Sequence, residues 1–195
     1  GTPNLTGKLG HIKIADFKVI YIGPLSRMHK KETPKIYDLM VVLSGPEPQR
    51  GLLEEKLKKE MPNCDGNVIF IKGIVEKDQK KEQIGNVTYY NFMNSRQLEQ
   101  TFNESEIVLC RSGYTTIMDL VKLEKKAFFI PTPGQYEQEY LAEKLEKEGF
   151  VPYAKQDDFK MEHILKTQNY KGLPYFDNTI DWSLLFQVFE NKTQI

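Results

Sequence analysis

The feature that most constrains the fold is an alternation of apolar runs and helical periodicity over residues 106–138. Residues 107–110 and 127–130 form short, continuous apolar runs, which are typical of buried strands. Between them, residues 114–123 carry Ile, Leu and Val at helical spacing, and a second helical stretch follows residue 134. Strand, helix, strand and helix in this order predict a parallel sheet with crossover helices.

Two loops with special residues fall where those strands end. Residues 111–113, Arg-Ser-Gly, follow the first run, and residues 131–134, Pro-Thr-Pro-Gly, follow the second. The carboxyl ends of parallel strands meet at one edge of a sheet, where such folds bind ligands. A helix beginning at Tyr114 offers unpaired N–H groups to a phosphate, and Asp119 could bind a pair of sugar hydroxyls. A tight turn and a solvated carboxylate fit these residues at least as well, because short glycine motifs are weak evidence.

Composition narrows the class of protein. The 195 residues suffice for one sizeable domain, and 27 basic residues balance 27 acidic ones, so no bulk charge favours nucleic acid. No apolar run approaches the roughly 20 residues of a membrane span. Cys64 and Cys110 do not make a disulfide framework, so we expect a cytoplasmic protein. No metal-binding or Ser/His/Asp motif is present, and the histidines at 11, 29 and 163 lie in polar segments, where we expect them to be solvated.

The predicted fold class is α/β, a Rossmann-like three-layer sandwich with a central parallel sheet of about six strands and helices on both faces. The expected strands are residues 18–23, 37–43, 67–72, 87–90, 107–110 and 127–130, with an edge strand at 150–154. The expected helices are residues 50–60, 96–103, 114–123, 135–148, 157–167 and an apolar terminal helix within 178–195. The charged residues 76–82 are predicted to form a solvated loop.

Residues 110–149, CRSGYTTIMDLVKLEKKAFFIPTPGQYEQEYLAEKLEKEG, resemble the donor-binding signature in the C-terminal half of GT-B glycosyltransferases. The pattern is most similar to the family that adds N-acetylglucosamine to the lipid-linked peptidoglycan precursor. Arg-(Ser/Ala)-Gly, a Thr, an acidic residue, a helix, a strand ending in Pro and a Gln-rich helix start occur in that order. The resemblance implies a UDP-sugar-binding domain of an inverting, metal-independent enzyme that transfers a hexosyl or N-acetylglucosaminyl group to an acceptor hydroxyl.

Carried over residue by residue, the resemblance implies a UDP-sugar site spread over six segments. Its members are Arg27, Ser44, Gly45, Gln49, Phe92, Met93, Arg111, Ser112, Gly113, Tyr114, Thr115, Asp119, Glu137 and Gln138. Arg27 would reach the donor phosphates with a bidentate grip, although an exposed loop arginine fits the residues equally well. Phe92 and Met93 would frame the uracil ring or belong to the core, and Asp119 would hold the ribose.

The chain departs from the family pattern at two places. Pro46 and Pro48 stand where small residues usually present backbone N–H groups to a phosphate, and proline has no N–H. Gln138 matches a residue that contacts donor sugar hydroxyls, but Glu137 replaces its usual Gln neighbour. An ionised Glu only accepts hydrogen bonds, so the sugar preference is expected to differ.

The resemblance also implies what lies outside this chain. In these enzymes the general base and the acceptor site belong to the N-terminal half, so we expect no catalytic residue here and no cofactor beyond the UDP-sugar substrate. The expected partners are that acceptor-binding domain or subunit, which would bring peripheral association with the inner face of the membrane. The terminal helix within 178–195 would cross to that domain or pair two copies. Alternatives are a non-catalytic donor-binding subunit and an epimerase- or hydrolase-like enzyme.

Overall fold

The computed structural model describes residues 4–10 and 23–174, which contain a six-stranded sheet in the order β3-β4-β2-β1-β5-β6. The strands are β1 (Tyr37–Val42), β2 (Val68–Ile71), β3 (Lys81–Ile84), β4 (Val87–Tyr90), β5 (Ser105–Cys110) and β6 (Lys126–Phe129). The helices are α1 (Gln49–Glu60), α2 (Ser95–Glu104), α3 (Tyr114–Lys122) and α4 (Tyr136–Lys147). Shorter 3₁₀ segments are Gly7–Leu9, Met61–Asn63 and Met161–Asn169.

Two hydrophobic clusters cover the two faces of the sheet. One joins Met40 and Phe129 of the sheet to buried residues of α2, α3 and α4. The other joins Val41 and Phe128, whose side chains point to the opposite face, to buried residues of α1 and the Met161–Asn169 segment. The central parts of β1, β2, β5 and β6 can therefore be continuously apolar, because they are buried on both faces.

The strand order reverses next to β1: the chain proceeds to one side of β1 through β2 and to the other side through β5 and β6. Helix α1 leads from β1 to β2 on one side, whereas α3 leads from β5 to β6 on the other. The parallel register pairs Val42 with Cys110, so β1 and β5 end side by side. Since α1 and α3 pack on opposite faces, a crevice opens between the ends of these two strands.

The structure confirms the predicted fold class and refines its elements. The prediction of a solvated loop for residues 76–82 was wrong at its end, because β3 begins at Lys81 and pairs antiparallel with β4. Only a single bridge, between Phe129 and Tyr153, forms in the expected edge strand at 150–154. The predicted helix at 157–167 is a 3₁₀ segment that begins at Met161.

The helical spacing of apolar residues predicts that Leu52 and Leu165 lie in the core, but both are exposed, because each lies on the outer side of its helix. Leu52 is 49% exposed and Leu165 is 64% exposed. The expected terminal helix within 178–195, and nearly all of the expected strand 18–23, lie outside the described residues. Within the described ranges, every helix is too short or too polar to cross a lipid bilayer.

Candidate nucleotide-sugar site

The crevice between β1 and β5 brings several of the predicted site residues to one edge of the sheet. The loop after β1, residues 44–48, is exposed, and the turn at 111–113 follows β5 directly. Because Val42 pairs with Cys110 in the sheet, the two loops start next to each other at the carboxyl edge. This arrangement is the topological switch point at which open α/β sheets bind ligands.

The amino end of α3 faces this crevice without a side-chain cap from its own N-cap residue, Gly113. A Cβ added at Gly113 would meet nothing nearer than Thr116 Oγ1 at 4.0 Å, so the backbone is open to close approach. Tyr114 and Thr115 are exposed, and the Tyr114 N–H donates to Glu137 Oε1 over 3.4 Å. An acidic group therefore already lies at the positive end of the helix dipole.

Asp119 is half-buried on α3 and is held from outside the helix. Ser26 Oγ donates to Asp119 Oδ1 at 2.6 Å and accepts from the Met28 N–H at 2.9 Å. These bonds fix the segment that contains Arg27 beside α3, and Arg27 itself is exposed. Among the described residues, no hydrogen bond engages the second carboxylate oxygen of Asp119, which suits a pair of neighbouring hydroxyls.

The side chain of Arg111 occupies a different position from the one that the sequence suggests. It is 1% exposed and lies below the surface of the crevice. One guanidinium nitrogen donates to Ile130 O at 3.1 Å and Pro131 O at 3.0 Å, and the other donates to Gln49 O at 2.9 Å and Gln156 Oε1 at 2.8 Å. The guanidinium therefore ties together the loops that follow β1, β5 and β6, and contact of Arg111 with a UDP-sugar stays a prediction.

The loop after β6 and the start of α4 border the crevice next to the turn at 111–113. Ser112 Oγ is fully buried and donates to Gln138 O at 2.8 Å. Gln138 Oε1 accepts from the Thr132 N–H at 2.9 Å, and its Nε2 donates to Gln135 Oε1 at 2.5 Å. Both ends of the Gln138 amide are thus bonded within the protein, while the neighbouring Glu137 side chain is exposed.

Phe92 and Met93 lie at the same edge of the sheet, but beyond β2 from the crevice. Both are half-buried, and Met93 packs against the first hydrophobic cluster and accepts from Thr101 Oγ1 at 3.4 Å. The Phe92 N–H donates to Asn91 Oδ1 at 3.0 Å, and the Phe92 carbonyl accepts from Gln79 Nε2 at 2.7 Å. A base edge would have to displace these bonds or use other main-chain groups, so uracil recognition here stays a prediction.

The loop after β1 is exposed at Ser44 and Gly45. Gly45 has φ +105°, and an added Cβ would meet nothing within 4 Å, so the loop has room for a ligand there. Pro46 and Pro48 remove two backbone donors, as the sequence indicates. The main-chain carbonyl of Gln49 accepts a hydrogen bond from Arg111. The buried side-chain Oε1 of Gln49 has no hydrogen-bond partner among the described residues.

Three residues of this region were missed by sequence reasoning. Ser26 orients Asp119, Thr132 bonds Gln138 through its main chain, and Gln156 holds Arg111. Each lies in an irregular segment and belongs to no motif, so no sequence signal distinguishes it. Only the fold brings them to the crevice.

Metal ligation finds no support in the described part of the chain, where no group of three His, Cys, Asp or Glu side chains is placed to hold an ion. His29 is exposed and lies 3.3 Å from Glu99. His163 is half-buried against Phe159, contrary to the expectation that it is solvated, and His11 lies outside the described residues.

The fold and the crevice define an α/β domain of the doubly wound type, with a helix amino terminus and a carboxylate at its switch point. The chain belongs to glycosyltransferase family 28: the model of that family's C-terminal domain matches residues 48–176.

Two curated relatives agree with this assignment. The chain is 25% identical over 151 residues to a Haemophilus ducreyi UDP-N-acetylglucosamine--N-acetylmuramyl-(pentapeptide) pyrophosphoryl-undecaprenol N-acetylglucosamine transferase, covering 74% of this chain and 42% of that protein. The Buchnera aphidicola protein of the same name is 32% identical over 85 residues, 42% of this chain and 24% of the relative. The chain therefore spans less than half of these curated relatives.

Solved glycosyltransferase structures share the fold. A crystal structure of Acinetobacter baumannii MurG has a TM-score of 0.54 at 16% identity, covering 82% of this chain and 51% of that chain. The glycosyltransferase SnogD from Streptomyces nogalater has a TM-score of 0.51 at 14% identity, covering 80% and 38%. At these identities the likeness concerns the fold alone.

Proposed function

We propose that this chain is the donor-binding half of a glycosyltransferase and that it binds a UDP-sugar in the crevice between β1 and β5. The observation that carries the proposal is the pairing of the open amino end of α3 with Asp119, which Ser26 holds at 2.6 Å. One short helix thus offers N–H donors for phosphate and a carboxylate that accepts from hydroxyls. These two groups suit the two halves of a nucleoside diphosphate.

The diphosphate would lie against the first turn of α3. The N–H groups of Tyr114 and Thr115 and the helix dipole would stabilise the negative charge, and the exposed Arg27 would add a charged grip. The same groups would stabilise the diphosphate as it departs, which is the electrostatic task that a metal ion performs in other transferases. Metal-independent transfer follows from this arrangement as part of the proposal.

The remaining donor contacts follow from the same placement. Asp119 would accept from the ribose hydroxyls, and the Phe92–Met93 segment would border the uracil. Glu137, exposed at the start of α4, would accept from hydroxyls of the transferred sugar. The names of the curated relatives make UDP-N-acetylglucosamine the first donor to test.

Acceptor binding and inversion at the anomeric carbon would depend on groups outside this domain. In the proposed whole enzyme, the half that is absent from the aligned region would bring the acceptor, the general base and any contact with a membrane surface. This division is supported by the coverage of the curated relative, of which the chain spans 42%. The isolated chain is therefore expected to bind donor without transferring sugar.

Calorimetric titration tests the proposal. Wild-type protein should bind UDP, and Asp119→Ala should weaken UDP and uridine by about ten- to a hundredfold, because a hydrogen bond to a charged group contributes about 1.5–3 kcal/mol. Pyrophosphate should bind both proteins alike. Asp65→Ala, which removes an exposed carboxylate before β2, is the control and should change nothing. Absence of UDP binding at millimolar concentration would overturn the proposal.

A further inference from the structure

Among the described residues, Arg111 is a buried cation without a counter-ion. Its four hydrogen bonds all end on neutral oxygens, three of them main-chain carbonyls and the fourth the amide of Gln156. Within residues 4–10 and 23–174, no carboxylate lies in ion-pair range of the guanidinium. By contrast Arg50, which is also buried, contacts Glu54 at 2.6 Å and Glu47 at 2.5 Å.

An uncompensated buried charge is costly, and proteins normally pair it or neutralise it. Burial lowers the pKa of Arg111 to about 10, which leaves the guanidinium charged at neutral pH. Carbonyl dipoles solvate the cation but cannot cancel its net charge. An anion bound near Arg111 would therefore lower the free energy of the folded chain.

The position of Arg111 indicates where that anion would bind. The residue directly precedes Ser112 and Gly113, which lead into α3, and its guanidinium reaches the loops after β1 and β6. Its charge thus lies beneath the crevice at the switch point. Its side chain is 1% exposed and both terminal guanidinium nitrogens already donate within the protein, so it acts on a ligand through space rather than by contact. Its buried Nε has no hydrogen-bond partner among the described residues.

We infer that the diphosphate of the bound nucleotide is the counter-ion of Arg111, which acts as a positioning residue and makes the crevice selective for diphosphates over nucleosides. This inference rests on the proposed function and adds a residue that does not touch the ligand. The inference also explains why position 111 carries a charged side chain, although a neutral hydrogen-bond donor could bond the same carbonyls.

Gln156→Glu tests the inference without removing the arginine. Gln156 Oε1 already accepts from Arg111 at 2.8 Å, so a glutamate of the same shape would supply an internal counter-ion. We expect the variant to melt at a temperature no lower than wild type, since it neutralises a buried charge. Gln83→Glu, an equal charge change on the exposed strand β3, is the matched control.

The measured quantity is the ratio of the uridine and UDP dissociation constants. The ratio should fall about tenfold in Gln156→Glu, about 1.4 kcal/mol, with uridine affinity unchanged, and it should stay at the wild-type value in Gln83→Glu. Arg111→Lys, which keeps the charge but not the planar fork, should melt lower while keeping most of the ratio. A wild-type ratio in Gln156→Glu would overturn the inference and leave the proposed function standing. Failure of wild type to bind UDP would overturn both.

Discussion

Glu137→Gln is predicted to tighten UDP binding, although Glu137 lies inside the proposed site. Its carboxylate Oε1 is 3.4 Å from the Tyr114 N–H, at the amino end of α3 where the diphosphate is expected. A phosphate oxygen bonded to the same N–H would meet this carboxylate at close range. The two anions therefore compete for one donor, and the carboxylate must move aside when UDP binds.

The size of the effect follows from Coulomb's law. Two unit charges about 4 Å apart repel by about 1 kcal/mol in bulk water, and more in a partly enclosed crevice. Glu137 is exposed, so its side chain can rotate away and the lower figure applies. One kcal/mol corresponds to about a fivefold change in affinity, and salt at 1 M, where the Debye length is about 3 Å, should abolish the gain.

Calorimetry with UDP, uridine and a UDP-sugar separates the effects. Glu137→Gln should bind UDP about five times more tightly and uridine with unchanged affinity, and the gain should disappear at high salt. Glu143→Gln, an exposed position on the same helix α4, is the control. Equal or weaker UDP binding by Glu137→Gln at low salt would refute the competition. A weaker affinity of the same variant for the UDP-sugar would report the loss of the proposed contact between Glu137 and the sugar hydroxyls.

Three further outcomes are expected. Ser26→Ala should weaken uridine about three- to tenfold, because Asp119 loses its 2.6 Å bond, and calorimetry showing unchanged affinity would contradict this. Asn94→Ala should lower the free energy of unfolding by about 1 kcal/mol in urea, because it breaks the capping box of α2. Burial lowers the pKa of Lys125 from 10.5 to about 7. Between these two pH values the unfolded chain therefore binds one proton more than the folded chain. The free energy of unfolding should rise with pH across that window. Lys125→Met should flatten this rise in urea titrations at pH 7 and 9.5, and an unchanged slope would contradict it.

The parts of the fold that sequence reasoning predicted are those in which burial leaves a local pattern. Strands β1, β2, β5 and β6 are recognisable because both faces are covered over most of their length, which leaves a continuous apolar run in each. Strand β3 leaves no such pattern, since all four of its side chains are exposed and only its main chain pairs with β4. Leu52 follows helical spacing but lies on the outer face of α1, because spacing alone does not say how wide the buried stripe is.

The site was predictable where it follows from topology and not where it depends on distant contacts. The amino end of α3 follows β5 after a short turn, so its place at the carboxyl edge needs only the parallel sheet, and Asp119 lies further along the same helix. The bond from Ser26 to Asp119 joins residues 93 positions apart, and no spacing rule contains it. Arg111 in a polar turn suggests a ligand contact, but carbonyls from two other loops draw it inward.

The charges around the crevice are arranged by depth, and this arrangement favours one orientation of the ligand. Arg111 supplies positive charge below the surface, and the amino end of α3 supplies partial positive charge above it. The carboxylates of Asp119, which is half-buried within α3, and of Glu137, which is exposed beside the Tyr114 N–H, lie nearer the surface. A diphosphate is attracted to the positive charge, while hydroxyl-bearing groups are favoured next to the two carboxylates, because carboxylates accept from hydroxyls and repel phosphates. A nucleoside diphosphate sugar, with a sugar on each side of the phosphates, matches this order of charges, whereas a nucleoside triphosphate would bring its terminal phosphate against a carboxylate.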